Sequence, residues 1–224
     1  MFKFFFIFLV LLTAAQAGGQ NAMAEGGIKL KIIAVGDSTT AGTPLFYSPA
    51  EAPPRGQGDE KSQYAYWIMK KHPDWEVANR GVRGQRSDQI SARFRRELVP
   101  PLPDIAVVLA GVNDIYQGYD TEHVKANLRN IYDLSSSRGL KVVACTVLPY
   151  DSAAEEKKKI IEVNAWIRSE ARSRGFLFCD TYATVNNPKK PGTLSGTPDG
   201  IHPDIAGYRA MGEAIAGVIE SSSA

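Results

Sequence analysis

Apolar residues along the chain cluster in two alternating patterns. Short, nearly continuous runs rich in Val, Ile and Leu occur at Ile28 to Val35, Trp75 to Ala78, Asp104 to Ala110, Lys141 to Leu148 and Phe176 to Cys179. Each is bounded by Gly, Pro or charge, as strands are. The runs beginning at Ile105 and Val142 carry no polar break, which predicts strands covered on both faces of a parallel sheet. Between the runs the period lengthens. Ile90, Phe94 and Leu98 recur every four residues in Ser87 to Leu98, and Val124, Leu128, Ile131 and Leu134 follow at spacings of four, three and three in Thr121 to Ser137. Ile160, Val163 and Ile167 share one side of Ala153 to Arg174. These spacings predict helices with one buried stripe. Gln63 to Lys71 after a Ser62 cap, and Pro203 to about Glu220, complete the set, with proline suited to a first helical position.

Five strands alternating with helices imply right-handed crossovers and a three-layer α/β/α sandwich around a parallel sheet. Such sheets bind ligands at the carboxyl ends of their strands. Chemistry is therefore expected just after Val35, Ala78 and Ala110, and in the last loop. Two Pro/Gly-rich stretches, 43–60 and 183–201, are long for ordinary connections and are candidate substrate-shaping loops.

The N-terminus breaks this pattern. Met1-Phe2-Lys3, an apolar run from Phe4 to Leu12, and Ala15-Gln16-Ala17 have the order of a secretory signal peptide with cleavage after Ala17. A membrane span needs about 20 apolar residues, more than this run offers, so no stable anchor is expected once the signal is removed. The expected organisation is a signal at 1–17, a flexible lead-in at 18–27, one domain over 28–220 and a disordered tail at 221–224. The protein is expected to be secreted or periplasmic. Composition adds exclusions: 224 residues with 44% hydrophobic, 22% charged and a net charge of +2 describe a globular domain without the basic footprint of a nucleic-acid binder. Cys145 and Cys179 are too few for a disulfide scaffold. Both read as small buried thiols, although neighbouring strands would make a bridge conceivable. Glu155 to Lys159 reads as a solvated helix face with a Glu155–Lys159 pair.

Four short motifs fall at the expected strand ends. Gly36-Asp37-Ser38-Thr39 follows the first strand. A serine there presents its hydroxyl in the open and its N–H at a helix N-terminus, or it merely caps the helix. No phosphate-loop pattern follows. Asn79-Arg80-Gly81-Val82-Arg83-Gly84 follows the second strand, and Gly111-Val112-Asn113-Asp114 the third. A glycine N–H can approach a reacting carbonyl and an asparagine amide can donate to it; alternatively both are turn and capping residues. Asp199-Gly200-Ile201-His202-Pro203 lies in the last loop. A serine needs a base, and the base needs an orienting carboxylate on its other nitrogen. Asp199 stands three residues before His202, at the right offset for a turn. The other histidines, His72 and His123, read as surface residues. The carboxylates are dispersed and one loop histidine is too few for zinc, so neither a metal nor a cofactor is expected.

Together these four blocks make the chain resemble the SGNH hydrolases, or GDSL-type esterases and lipases, from about Ile28 to Glu220. The resemblance implies a flavodoxin-like fold and names Ser38 as nucleophile, His202 as general base and Asp199 as its orienting partner. It implies an oxyanion hole from the Ser38 N–H, the Gly84 N–H and the Asn113 amide, with Gly81 an alternative to Gly84. Thr39 departs from the leucine of the name-giving motif, and Arg86 stands where threonine is common.

Substrate contacts are less defined. Asp37, Phe46, Tyr47 and Tyr116, with Tyr119, are candidates for contacting a sugar or other alcohol, or for ordinary loop packing. Arg80, Arg83, Arg86, Arg93, Arg95 and Arg96 form either an anion-attracting surface or a solvated face. The expected activity is hydrolysis of short-chain esters, such as acetylated carbohydrates, with lysophospholipids or thioesters as alternatives. The expected partner is a small-molecule or glycan ester; the oligomeric state is open. A non-catalytic carbohydrate-binding module is the reading from another class.

Overall fold

The computed structural model describes residues 30–222. The expected signal peptide and lead-in lie outside the described residues, as do 223–224. In chain order the elements are β1 (Leu30–Gly36), α1 (Ser38–Ala41), β2 (Phe46–Tyr47), β3 (Gln57–Gly58), a 3-10 turn (Glu60–Ser62), α2 (Tyr64–Lys71), β4 (Trp75–Gly81), α3 (Ser87–Glu97), β5 (Ile105–Leu109), α4 (Val112–Tyr116), α5 (Thr121–Ser137), β6 (Lys141–Cys145), α6 (Ala154–Arg174), β7 (Leu177–Cys179), α7 (Thr181–Val185) and α8 (Ile205–Ser221).

The expected five-stranded parallel sheet is present, in the order β4-β1-β5-β6-β7. Winding reverses between β1 and β5, the switch point at which this fold opens a crevice. Gly36 is level with Gly81 on one side and Leu109 on the other, so the loops after β1, β4 and β5 emerge together. The apolar runs resolve into two buried faces. Ile33, Val35, Ala106, Val108, Val142 and Ala144 pack under α3, α5 and α6 through Ile90, Phe94, Leu128, Ile131, Val163 and Ile167. Ile32, Ala34, Val107, Leu109, Val143 and Cys145 pack under α2 and α8 through Tyr64, Ile68, Tyr208, Met211 and Ile215. Strict alternation with both faces covered is why these strands read as unbroken apolar runs.

The structure moves some boundaries. β4 continues past Ala78 to Gly81 because Asn79 is satisfied within the strand. Its amide donates to Thr40 O (2.8 Å) and Gln63 Oε1 (2.7 Å), and its Oδ1 accepts the Gly81 N–H (2.9 Å). α8 starts at Ile205 rather than Pro203, because Asp204 is the cap, accepting the Gly207 N–H at 2.7 Å. That helix also runs through Ser221, one residue into the expected tail. The Glu155–Lys159 pair does not form; Lys159 donates to Tyr119 O at 3.2 Å. Cys145 and Cys179 are register partners on neighbouring strands, buried and free. Among the described residues no helix is long and apolar enough to cross a membrane.

Candidate active site

Ser38 opens α1 directly beyond β1. Asp37 caps that helix, accepting the Thr39 N–H at 3.0 Å. The turn is clamped from below: Asn79 holds Thr40 O, the Tyr64 hydroxyl donates to Thr40 Oγ1 (3.1 Å), and the Tyr208 hydroxyl donates to Thr43 O (2.6 Å). Gly81 lies so close under the turn that a Cβ there would sit 2.0 Å from Ala41 N. The turn is thus seated on the core, and Ser38 keeps only 8% of its surface, at the foot of a cleft.

His202 arrives from the loop before α8. Its Nε2 lies 2.9 Å from Ser38 Oγ and its Nδ1 lies 2.7 Å from Asp199 Oδ2. The Asp199 carboxylate also accepts the N–H groups of Ile201 (3.0 Å) and His202 (2.8 Å), folding the loop back on itself. Thr197 Oγ1 takes the Gly200 N–H at 2.8 Å. Partial burial raises the Asp199 carboxyl, but the His202 ring and the two N–H groups outweigh it and hold the group below the usual carboxylate range. Asp37 moves the other way. Burial, opposed by the Thr39 N–H and reinforced by Asp114, pushes it up to about 7.

Two further groups complete the cleft wall. Gly84 has φ +72, and a Cβ there would meet nothing within 4 Å; the residue is needed for its left-handed backbone. Its N–H has no hydrogen-bond partner among the described residues, whereas the Gly81 N–H is taken by Asn79. Of the two glycines, only Gly84 has an N–H left unengaged among the described residues. Asn113, on α4, donates one amide hydrogen to Gln85 O at 2.9 Å and retains the other. Its neighbour Asp114 is fully buried and accepts Ser87 N (2.8 Å) and Ser87 Oγ (2.6 Å), fastening α4 to α3. Asp88, Asp114 and His123 are the one trio of potential metal-ligand groups among the described residues. Both acids are already engaged, Asp88 by the Arg86 guanidinium.

The cleft has a volume of ≈ 250 Å³ and is lined by Ser38, Gly84, Asn113 and His202 with Arg83, Val112, Tyr116, Tyr150 and Ile201. Of the expected substrate contacts, Tyr116 lines it. Asp37 and Phe46 do not face it, being 1% and 2% exposed: the first is consumed as a helix cap and the second turns into the core. Tyr47 is exposed but carries the Arg83 guanidinium over its ring at 3.2 Å, and Tyr119 lies against His123. Tyr150 and Ile201 were not foreseen; Pro149 and Gly200 beside them hinted only at turns. The arginines do not form one basic surface, since Arg83, Arg86 and Arg93 are matched to Glu51, Asp88 and Glu97. Nor are the other histidines free surface groups: His72 stacks on Trp75 and pairs with Glu220, and His123 Nε2 lies 3.5 Å from Asp114.

A doubly wound sheet with a serine, an imidazole and a carboxylate in line at its switch point has the arrangement of an acyl-transfer hydrolase. Residues 34–210 match the GDSL-like lipase/acylhydrolase family model, and the chain belongs to that family. An acetylxylan esterase of Geobacillus stearothermophilus is 24% identical over 154 residues, which is 62% of this chain and 69% of that protein. The crystal structure of Axe2, an acetylxylan esterase from the same organism, superposes with a TM-score of 0.68 at 21% identity, covering 88% of this chain and 96% of that one. A member of the lipolytic G-D-S-L family from Veillonella parvula gives a TM-score of 0.72 at 21% identity, covering 85% and 98%. The protein is an ester-hydrolysing enzyme with the fold of this family.

Proposed function

We propose that the protein is an exported serine esterase that removes short acyl groups, acetyl foremost, from carbohydrates or other small alcohols. The observation that carries this reading is the unbroken line from Ser38 Oγ through the His202 ring to Asp199, with contacts of 2.9 and 2.7 Å. In this reading Ser38 Oγ attacks the ester carbonyl carbon while its proton passes to His202 Nε2. Asp199 fixes the ring by its Nδ1 contact and stabilises the imidazolium. The oxyanion accepts hydrogen bonds from the N–H groups of Ser38 and Gly84 and from the Asn113 amide. Each such donor contributes on the order of 3 kcal/mol. The C–O bond to the alcohol breaks and the alcohol leaves with the proton from Nε2. Water then gives a proton to Nε2 and attacks the acyl carbon; the bond from that carbon to Ser38 Oγ breaks as Nε2 returns the proton to Oγ, releasing the carboxylic acid and restoring Ser38.

Short acyl groups fit the space available. Behind the shared wall residues Thr39, Val112 and Ile201 there is only a separate cavity of ≈ 10 Å³, lined also by Leu148 and Pro149, too small for a long chain. The open rim carries Tyr116, 62% exposed, a face on which a sugar ring can stack. The named activity of the Geobacillus relative supports an acetylated glycan as the substrate class. Export rests on the 1–17 signal pattern; N-terminal sequencing of extracytoplasmic protein is expected to begin at Gly18. The function is tested with p-nitrophenyl esters from acetate to palmitate and with acetylated xylan. Turnover is expected to fall as the acyl chain lengthens and to vanish in Ser38→Ala. Activity equal in wild type and Ser38→Ala on every substrate would refute the mechanism, and a preference for palmitate would refute the substrate class.

A further inference from the structure

Arg93 lies on α3, away from the cleft lining, with 16% of its side chain exposed. Its guanidinium holds three acceptors on three parts of the fold. Nη2 donates to Gly36 O at 3.0 Å, at the end of β1 and two residues before Ser38. Nε donates to Gln85 Oε1 at 2.5 Å, in the loop that also carries Gly84. Nη1 donates to Glu97 Oε1, one turn along the same helix. Gln85 is engaged at both ends, because its backbone carbonyl accepts the Asn113 amide. One planar group therefore links the strand end that carries Ser38 to the loop that carries Gly84 and holds Asn113. A rigid fork of donors can do this, whereas a lysine ammonium is a single point of charge on a flexible stem.

We propose that Arg93 is a positioning residue that fixes the separation between the Ser38 turn and the Gly84 and Asn113 donors, so that the oxyanion hole is assembled before substrate arrives. The inference rests on the serine-esterase reading above. Donors aimed at developing charge are effective only if preorganised, and a displacement near 1 Å can cost about 100-fold in rate. Substrate binding in the ground state does not use these donors fully, so the loss falls on kcat.

The test measures kcat and KM on p-nitrophenyl acetate, affinity for methylboronic acid as a tetrahedral adduct of the nucleophile, and melting temperature. Wild type is compared with Arg93→Ala, Arg93→Lys, Gln85→Leu and the exposed control Arg96→Ala. Arg93→Ala is expected to lose roughly 10- to 100-fold in kcat and a matching factor in boronate affinity, with KM within about twofold. Lysine should restore only part, and added guanidinium should recover activity in the alanine variant. Arg96→Ala should match wild type. If Arg93→Ala does not fold, Gln85→Leu breaks the same link from a loop position and is expected to show the same kcat-specific loss. An active wild type whose Arg93→Ala or Gln85→Leu variant keeps kcat and boronate affinity, or loses only melting temperature, overturns the proposal. A wild type inert on every ester overturns the esterase reading and this proposal together.

Discussion

Ser38 is held by the core, whereas His202 and Asp199 are held by a loop that folds onto itself. The Ser38 turn rests on Asn79, Tyr64, Gly81 and Tyr208, drawn from a strand and two helices. The Asp199–His202 arm uses hydrogen bonds spanning two or three residues, from Thr197 to His202. Two aspartates mark the contrast. Asp37, under the serine, is driven up to about 7 by burial, while the His202 ring and loop N–H groups overcome burial at Asp199 and hold it down. The core-held arm has its position set by packing and carries an electrostatic cost. The loop-held arm owes little to packing and is stabilised by its charge. Damage to the first should therefore appear strongly in stability as well as rate, and damage to the second chiefly in rate, with a smaller loss of stability at neutral pH.

The largest effect should come from the loop arm. Asp199→Asn is expected to lower kcat by about 10⁴-fold, with only a modest fall in melting temperature at neutral pH that disappears in acid, as read by calorimetry beside initial rates. Asn79→Ala should do the opposite in kind. It strands the Gln63 and Thr40 oxygens in the interior, costing about 2–3 kcal/mol, and should lower the melting temperature by roughly 5–10 °C along with activity. If Asn79→Ala loses activity but no stability, the contrast between the arms fails.

The aspartates give the contrast a pH dependence. Because the folded state raises the Asp37 pKa above its ordinary value, its contribution is full at low pH and is lost as pH rises through about 7. Asp37→Asn keeps the oxygen that caps Thr39 and should stabilise the protein at pH 8 by on the order of 3 kcal/mol, an advantage that shrinks toward pH 4. Asp199, held low, acts in reverse: its contribution is present at neutral pH and is lost in acid. An Asp37→Asn melting curve parallel to wild type at every pH would contradict the assignment. The smallest effect is expected from Thr197→Val, which removes the Gly200 contact on the exposed loop. A fall in kcat of a few-fold with a melting temperature lowered by no more than about 2–4 °C is expected, since such an exposed bond contributes at most about 1 kcal/mol.

The same contrast explains what was legible in the sequence. Strand runs such as Asp104 to Ala110 and helix stripes such as Ile90, Phe94 and Leu98 are local periodicities, and the sheet they imply is present. Ser38, Asn113, Asp199 and His202 were legible because each sits in a short motif at a strand end or in the last loop; the structure brings Ser38, Asn113 and His202 to one cleft with Gly84, with Asp199 behind the His202 ring. The wall was not. Tyr150 and Ile201 line the cleft only because distant loops converge, and Phe46 turns inward because of the β2–β3 pairing, which no local pattern announces. Three of the six arginines that read as one stretch are matched by carboxylates; Asp88 and Glu97 lie within four positions of Arg86 and Arg93, but Glu51 stands 32 positions from Arg83, beyond any local pattern.

The central claim is that Ser38, activated by His202, is the attacking group. Incubation with the organophosphate diethyl p-nitrophenyl phosphate, followed by intact mass and peptide mapping, tests it most directly. One diethylphosphoryl group is expected on the Ser38 peptide, with activity lost in step, no adduct in Ser38→Ala and much slower labelling in His202→Ala. Full esterase activity after stoichiometric labelling at Ser38, or inactivation accompanied by labelling at another residue, would contradict it.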